Sequence, residues 1–289
     1  MPELPEVETV VRTLAPHVAG CRITGVEVLR ASGVHPLSLP LESLAGLTIS
    51  GVRRRGKLIL LDVAPKGAGG EPPAKHRSAP QPSLLAVHLR MTGRLLPRPA
   101  GTAPGPYTRW LLDLQTPEGA PLRLFFDDTR AFGTVFAATP PLLEQWAFWR
   151  ELGPEPLELT GAAFDRRLAG RSAIKAALLD QRVVAGIGNI YADEALHRAG
   201  MDPRRPVAEV DGPRRRELLA ALKAVLKLAI AQCGSSIRDY RDADGNAGAF
   251  QNSFAVYGRA GKPCRSCGRP LAKCRVAGRA TVYCPHCQR

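Results

Sequence analysis

Two cysteine pairs near the C-terminus, Cys264-x-x-Cys267 and Cys284-x-x-Cys287 with sixteen residues between them, constrain this chain more than any other feature. Knuckles at that spacing can bring four thiolates to the corners of a tetrahedron around one zinc ion. Closing such a cage folds the chain between the pairs even where the apolar core is small. A pair of disulfides, or thiols with no role, are the alternatives. The zinc reading is preferred because the chain has an intracellular character, and disulfides rarely persist in that compartment. Four protein ligands leave no open coordination position, so the expected metal is structural. Cys274 has no partner at knuckle spacing, Cys21 and Cys233 are isolated, and His286 would strain to reach the same ion. From Gly258 to Arg289 there are eight Lys or Arg residues and no Asp or Glu, which suits a polyanion better than any other partner.

The whole chain repeats that bias. Its 289 residues carry a formal charge of +14, and 45% of them are hydrophobic, enough for two domains with separate cores. Nucleic acid is the favoured partner, although charge alone does not choose among DNA, RNA and a membrane surface. No apolar run approaches the ~20 residues of a spanning helix, so no membrane partner is expected. The acidic start lacks a hydrophobic core segment, so no signal peptide is expected and the location is taken as cytoplasmic.

Short runs rich in β-branched and aromatic residues predict strands over 22–30, 47–52, 58–63, 84–91, 110–114 and 122–126, in an antiparallel sandwich or barrel. Residues 64–83, rich in Pro, Gly, Ala and Lys, predict a surface loop, and a linker follows around 138–158. The period then changes. Helical spacing covers 162–168, 173–179, 190–198 and 213–233, with Asp211 as a start signal and Gly234 as a stop for the last. There is no internal repeat.

At the other end the chain opens Met1-Pro2-Glu3-Leu4-Pro5-Glu6-Val7-Glu8. Removal of Met1 would leave Pro2 as a terminal secondary amine. Terminal amines titrate near ~7.7–8, well below the ~10.4 of a lysine, so such a group is partly neutral and nucleophilic at cellular pH. Attack on an aldehyde carbon would give an iminium ion, an electron sink that makes the neighbouring proton acidic. Glu3 or Glu6 could protonate a leaving group and recover the proton. The plain structural alternative is that Pro5 starts a helix whose buried stripe is Leu4, Val7, Val11 and Leu14. The two readings are compatible, because a packed helix holds the terminus still.

Three internal motifs are ambiguous singly. Gly186-Ile187-Gly188-Asn189 precedes a helix, where exposed amides bind phosphate, or where Asn189 is simply an N-cap. Asp128-Thr129-Arg130-Ala131-Phe132-Gly133 sets an arginine and an aromatic at a strand end, suited to insertion into a base stack or to an ordinary turn. His88-Leu89-Arg90-Met91-Thr92-Gly93 is equally open, with Met91 also suited to a core.

Taken in order along the chain, these stretches resemble the formamidopyrimidine-DNA glycosylase family over almost the whole length. Residues 2–8, Arg55-Gly56-Lys57, 88–93, 128–133, 186–191, Val256-Tyr257-Gly258-Arg259 and the Cys264–Cys287 finger carry the likeness. The opening Pro-Glu-Leu-Pro-Glu is similar to the formamidopyrimidine branch rather than the endonuclease VIII branch.

The resemblance implies an α+β multidomain fold. Its parts would be an N-terminal catalytic β-sandwich flanked by helices (1–138), a linker (139–156), a helical helix–two-turn–helix domain with the lesion loop (157–244), and a zinc-finger β-hairpin (245–289). It implies a bifunctional glycosylase and abasic-site lyase that excises oxidised purines, 8-oxoguanine opposite cytosine and formamidopyrimidines, by β,δ-elimination. The partner would be double-stranded DNA with oxidised or abasic sites, bound by a nucleoid-associated monomer with one structural zinc ion. Pro2 would be the nucleophile and Glu3 its acid and base, with Lys57 and the finger residue Arg279 on phosphates around the lesion. Met91, Arg130 and Phe132 match the residues that fill the gap left by the extruded base, with Arg130 opposite the orphaned cytosine. His88, Lys175 and Asn189 match DNA contacts. Ser235, Ser236, Ile237, Arg238, Asp239 and Tyr240 match the loop that closes over an oxidised purine. Ala131 departs from the pattern, where a second arginine is common. A zinc-ribbon protein that binds damaged DNA without cutting it is the alternative from another class.

Overall fold

Leu4, Val7, Val11 and Leu14 recur at three and four along the chain. In the computed structural model, which describes residues 1–65, 81–237 and 240–289, they are the buried stripe of helix α1 (Leu4–Val18). Arg238 and Asp239 of the expected lesion loop lie outside the described residues, as does most of the 64–83 stretch. The chain divides into two compact units. Met1–Pro2, Glu6–Arg150 and Ser236–Gly248 form the first, and Glu3–Pro5, Glu151–Ser235 and Ala249–Arg289 form the second.

The first unit is built on eight antiparallel strands. They are β1 (Arg22–Val28), β2 (Leu47–Arg55), β3 (Leu58–Pro65), β4 (Leu84–His88), β5 (Gly93–Pro99), β6 (Thr108–Gln115), β7 (Pro121–Asp128) and β8 (Thr134–Ala138), in the order β5-β7-β6-β1-β2-β3-β4-β8. Leu95 from one edge strand and Val135 from the other belong to one core, with Ile23, Ile59, Trp110 and Val7, Val10 and Leu14 of α1. A flat sheet of that width could not bring its two edges into one cluster, so the sheet folds over itself into two layers. β3 is buried on both faces. Ile59 and Leu61 point to that core, while Leu58 and Leu60 pack with Phe136, Leu143 and Trp146 beneath two short helices, α2 (Pro140–Leu143) and α3 (Ala147–Arg150), within the stretch expected to be a linker.

Two strands were not legible in the sequence. β5 carries Pro97 and Pro99, which argue against a central strand because proline donates no ladder hydrogen bond. The structure sets it at an edge, where that loss is tolerated. β8, five residues long and ending in Ala137-Ala138, occupies the other edge.

In the second unit the predicted helices appear as α4 (Gly161–Arg167), α5 (Ile174–Leu179), α6 (Asn189–Arg198) and α7 (Gly212–Ala231). Asp211 caps α7 by accepting from the amide of Arg214, and the helix stops where Cys233 and Gly234 take φ of +57° and +75°. Phe164, Ile174, Leu178, Tyr191, Leu218, Leu222 and Leu226 form the core, joined by Leu4. Residues beyond it end in a hairpin of β9 (Ala272–Val276) and β10 (Arg279–Tyr283). Its two turn residues, Ala277 and Gly278, both have positive φ, as a type I′ turn requires. Glu194 of α6 anchors the approach to this hairpin by accepting from the amides of Ala255, Val256 and Tyr257 at 2.8, 3.0 and 2.8 Å.

Candidate active site and metal centre

Helix α6 begins without a cap of its own. Gly188 precedes it and makes no side-chain cap hydrogen bond. Glu3 supplies what is missing: its carboxylate accepts from the amides of Ile190 at 3.1 Å and Tyr191 at 3.4 Å. Free amides and the positive end of the helix dipole both favour an anion there. The amide of Leu4 donates to Gly186 O at 3.0 Å and fixes the backbone beside it. Gly188 is indispensable to this arrangement, since a Cβ there would lie 2.2 Å from Glu3 Cδ. Glu3 is thus a buried carboxylate in a defined pose, chain neighbour to Pro2, itself buried behind a half-exposed Met1. Asn189, expected as an N-cap or a phosphate contact, is the first helical residue. Its amide donates to Ala280 O at 2.9 Å, and its Oδ1 has no hydrogen-bond partner among the described residues.

Lys57 sits in the two-residue turn of the β2–β3 hairpin, between paired Arg55 and Leu58. Gly56 before it has φ +58°, the left-handed conformation a type II′ turn demands of its first central residue.

The Asp128–Gly133 loop presents an exposed cluster. Phe132 is 52% and Met91 41% exposed, unusual for large apolar side chains. Arg130 lies between them, its Cζ 4.9 Å above the Phe132 ring and its Nη1 3.2 Å from Met91 Sδ. The buried carboxylate of Asp128 organises the loop by accepting from Thr92 Oγ1, the Arg130 amide and the Gly133 amide at 2.5, 3.2 and 2.7 Å. Arg90 and Ala131, the residues just before Met91 and Phe132, hold φ of +52° and +57°. Non-glycine residues in that region cost of order 1–2 kcal/mol each. Backbone strain therefore stands beside both exposed side chains, as it often does at working sites.

His88, expected among the DNA contacts, is 4% exposed, and its Nδ1 accepts from the amide of Arg90 at 3.0 Å, so it shapes the turn that carries Met91. Burial, with the charges of Arg90 and Lys57 adding to it, pushes its pKa down to about 3. An unfolded histidine titrates near ~6.5, so the unfolded chain takes up this proton first on acidification. The neutral folded form thus contributes stability above that pH, and the contribution is lost as pH falls. Stability should drop by up to about 1.4 kcal/mol per pH unit between pH 6.5 and 5 through this group. In urea titrations across that window, His88→Gln should flatten the dependence; an unchanged slope would refute the assignment.

Lys175 departs from its expected place. Expected on a backbone phosphate, it is fully buried. Its Nζ lies 2.7 Å from Asp193 Oδ1 and donates to Thr281 Oγ1 at 2.6 Å and Ala280 O at 3.3 Å. Desolvation lowers its pKa, and the nearby Asp193 carboxylate acts in the opposite direction. Its ammonium is spent holding β10 against α5 and α6. Arg279, immediately before that braced segment, is exposed at the start of β10.

In the expected lesion loop Ser236 Oγ donates to Tyr240 O at 3.0 Å and accepts from the Gly248 amide at 2.9 Å. Tyr240 donates its hydroxyl to Glu6 O at 3.1 Å, tying the loop to α1. Ile237 is 48% exposed, whereas Ser235 is buried.

The four Sγ atoms of Cys264, Cys267, Cys284 and Cys287 lie within 4.8 Å of one another, with Cys264–Cys287 at 4.0 Å and Cys267–Cys284 at 3.5 Å. A tetrahedron with Zn–S bonds of about 2.3 Å has S–S edges of about 3.8 Å, so these residues fit one zinc ion. His197 Nε2 lies 3.6 Å from Cys264 Sγ and supports the first knuckle from α6.

Family models match three stretches of the chain: "Formamidopyrimidine-DNA glycosylase N-terminal domain" over residues 1–135, "Formamidopyrimidine-DNA glycosylase H2TH domain" over 152–241, and "Zinc finger found in FPG and IleRS" over 261–289. The chain is 43% identical to a formamidopyrimidine-DNA glycosylase of Nitratidesulfovibrio vulgaris and 40% identical to one of Carboxydothermus hydrogenoformans, each alignment covering 100% of both chains. Among solved structures it is similar to the MutM (Fpg) protein of Thermus thermophilus, with TM-score 0.82, 38% identity and coverage of 99% and 98%. It is also similar to Lactococcus lactis Fpg in complex with DNA containing an abasic site, with TM-score 0.84, 31% identity and coverage of 99% of each chain.

Proposed function

The chain belongs to the formamidopyrimidine-DNA glycosylase family, and on that premise we propose how its own residues divide the chemistry. It is a DNA glycosylase for oxidised purines with the abasic-site lyase activity typical of the family, and its finger holds one structural zinc ion. The α+β fold has the large antiparallel sheet and zinc-binding hairpin that go with it.

With Met1 removed, the Pro2 amine attacks C1′ of the damaged nucleotide. The glycosidic bond breaks, its electron pair leaves with the base, and Glu3 supplies the accompanying proton. Loss of a proton from Pro2 and opening of the sugar leave an iminium between the Pro2 nitrogen and C1′. That electron sink acidifies C2′, so removal of its proton expels the 3′ phosphate, and a second elimination expels the 5′ phosphate. No step needs a catalytic metal. Lys57 and Arg279 hold the phosphates around the lesion, with Asn189 beside the latter. Phe132 wedges the base stack, Met91 fills the space of the extruded nucleotide, and Arg130 pairs with the orphaned cytosine. Ser235, Ser236, Ile237 and Tyr240 of the lesion loop close over the extruded purine. The substrate is duplex DNA with oxidised or abasic sites, bound by a monomer, and a charge of +14 suits that polyanion.

The observation that carries this reading is Glu3, the residue after Pro2, held buried in one pose by the first amides of α6. Borohydride trapping on a duplex with 8-oxoguanine opposite cytosine, followed by mass-spectrometric mapping, tests it. The cross-link is expected on Pro2. If mature protein lacking Met1 gives no trapped species, even with abasic DNA, the chain binds damage without cutting it.

A further inference from the structure

Lys57, only 5% exposed, acts from a hairpin turn, and where its side chain starts from depends on how the turn's peptide planes are held. The carbonyl of Gly56 belongs to the peptide bond that joins it to Lys57. Arg54, two residues back on β2, folds along the hairpin and donates from Nη1 to that carbonyl at 2.9 Å. Its Nε donates in turn to Glu8 Oε2, in helix α1, at 3.0 Å. The Arg54 side chain is only 10% exposed, so this is a largely sequestered link and not a surface ion pair.

Glu8 is itself oriented. Its other oxygen accepts from Arg12 Nε at 2.8 Å, one helical turn on. Burial pushes its carboxyl up, but hydrogen bonds from Arg12 and Arg54 outweigh that and leave it below the usual carboxylate range. A planar guanidinium can reach the carboxylate and the carbonyl together, which an ammonium on a flexible stem cannot do with the same geometry.

We propose that Arg54, oriented by Glu8, is a positioning residue for Lys57: it locks the Gly56–Lys57 peptide and joins the turn to helix α1, whose N-terminal extension carries Pro2 and Glu3. This rests on the reading of Lys57 as part of the reaction machinery. Arg54 touches no DNA in this role. Its loss lets the turn peptide rotate, so Lys57 reaches its phosphate in a smaller fraction of complexes.

The test is a double-mutant cycle read in single-turnover strand cleavage of 8-oxoguanine duplex, with affinity for an abasic-analogue duplex and thermal melting measured alongside. Arg54→Ala is expected to slow cleavage about tenfold or more, and Glu8→Gln by less, with melting and affinity changing little by comparison. Arg54→Lys keeps the charge and should recover only part of the rate, and it serves as the measured variant should Arg54→Ala fail to fold. Lys57→Ala should be slow, and adding either Arg54 substitution to it should slow it no further. Effects that multiply in the double mutant, or full rates in the folded Arg54 variants, overturn the positioning role while leaving Lys57 in place. Wild-type cleavage by Lys57→Ala overturns the reading of Lys57 and the proposal with it.

Discussion

Gly188→Ala should cut base excision by about 10²–10⁴-fold, the usual worth of a positioned general acid or base. The new Cβ would lie 2.2, 2.4 and 2.7 Å from Glu3 Cδ, Oε1 and Cγ, closer than real contacts allow. Glu3 has to leave the amides of Ile190 and Tyr191, and the helix end loses its cap. Because Glu3 is chain neighbour to Pro2, the displacement reaches the nucleophile as well as its acid. The three atoms nearest the new Cβ all belong to Glu3, so affinity for an abasic-analogue duplex should fall far less than the rate. Single-turnover cleavage and gel-shift titration of one preparation separate the two effects. Gly119→Ala is the control. Unlike Gly188 it has positive φ, +90°, with open space around the new methyl, so it should cost some stability and leave the rate intact. Wild-type cleavage by Gly188→Ala would mean that the observed pose of Glu3 is not the working one.

Stripping the zinc should unfold the C-terminal hairpin and abolish tight DNA binding. The core of this module consists of Val256, Leu271, Val282 and the ligands Cys264 and Cys284, too few apolar side chains to order it without metal. Structural zinc in finger peptides contributes about 10–16 kcal/mol at neutral pH, more than that core could replace. Its loss loosens Arg279, because the β9–β10 ladder that carries its turn depends on the folded module, while Lys175, Asn189 and Asp193 hold only the following residues Ala280, Thr281 and Val282 to the helices. Chelation, or Cys284→Ser, should release one zinc per chain and expose amides of 264–287 to hydrogen exchange. The helices around Leu218 and Leu222 should stay protected. Full protection and full binding with the metal gone would refute a structural role.

Elements with strong local periodicity were legible. Leu218, Leu222, Val225, Leu226 and Ala229 predicted α7, and all are buried on it. Asp211 predicted its start, because capping uses an amide three residues away. Edge strand β5 was hidden, since Pro97 and Pro99 mean something different at a sheet edge than at its centre. Burial of ionisable groups was hidden too. Lysine is almost never fully buried unless paired, and nothing near Lys175 in sequence announces Asp193 and Thr281 as its partners.

The sequence by itself determined the chemistry on offer: a proline that becomes a terminal secondary amine once Met1 is removed, carboxylates beside it, four thiolates at zinc spacing, an Arg-x-Phe pair and a strongly basic chain. Such features are fixed by residue type and by separations of a few bonds, so they survive any choice of fold. Tertiary structure alone decided which groups are held. It set Glu3 on an amide pair 187 residues away, buried Lys175 as a brace, and ran Arg54 from Glu8 to the carbonyl before Lys57. Those pairings depend on which elements pack together, and packing depends on the apolar surface of the whole chain rather than on the residues that meet.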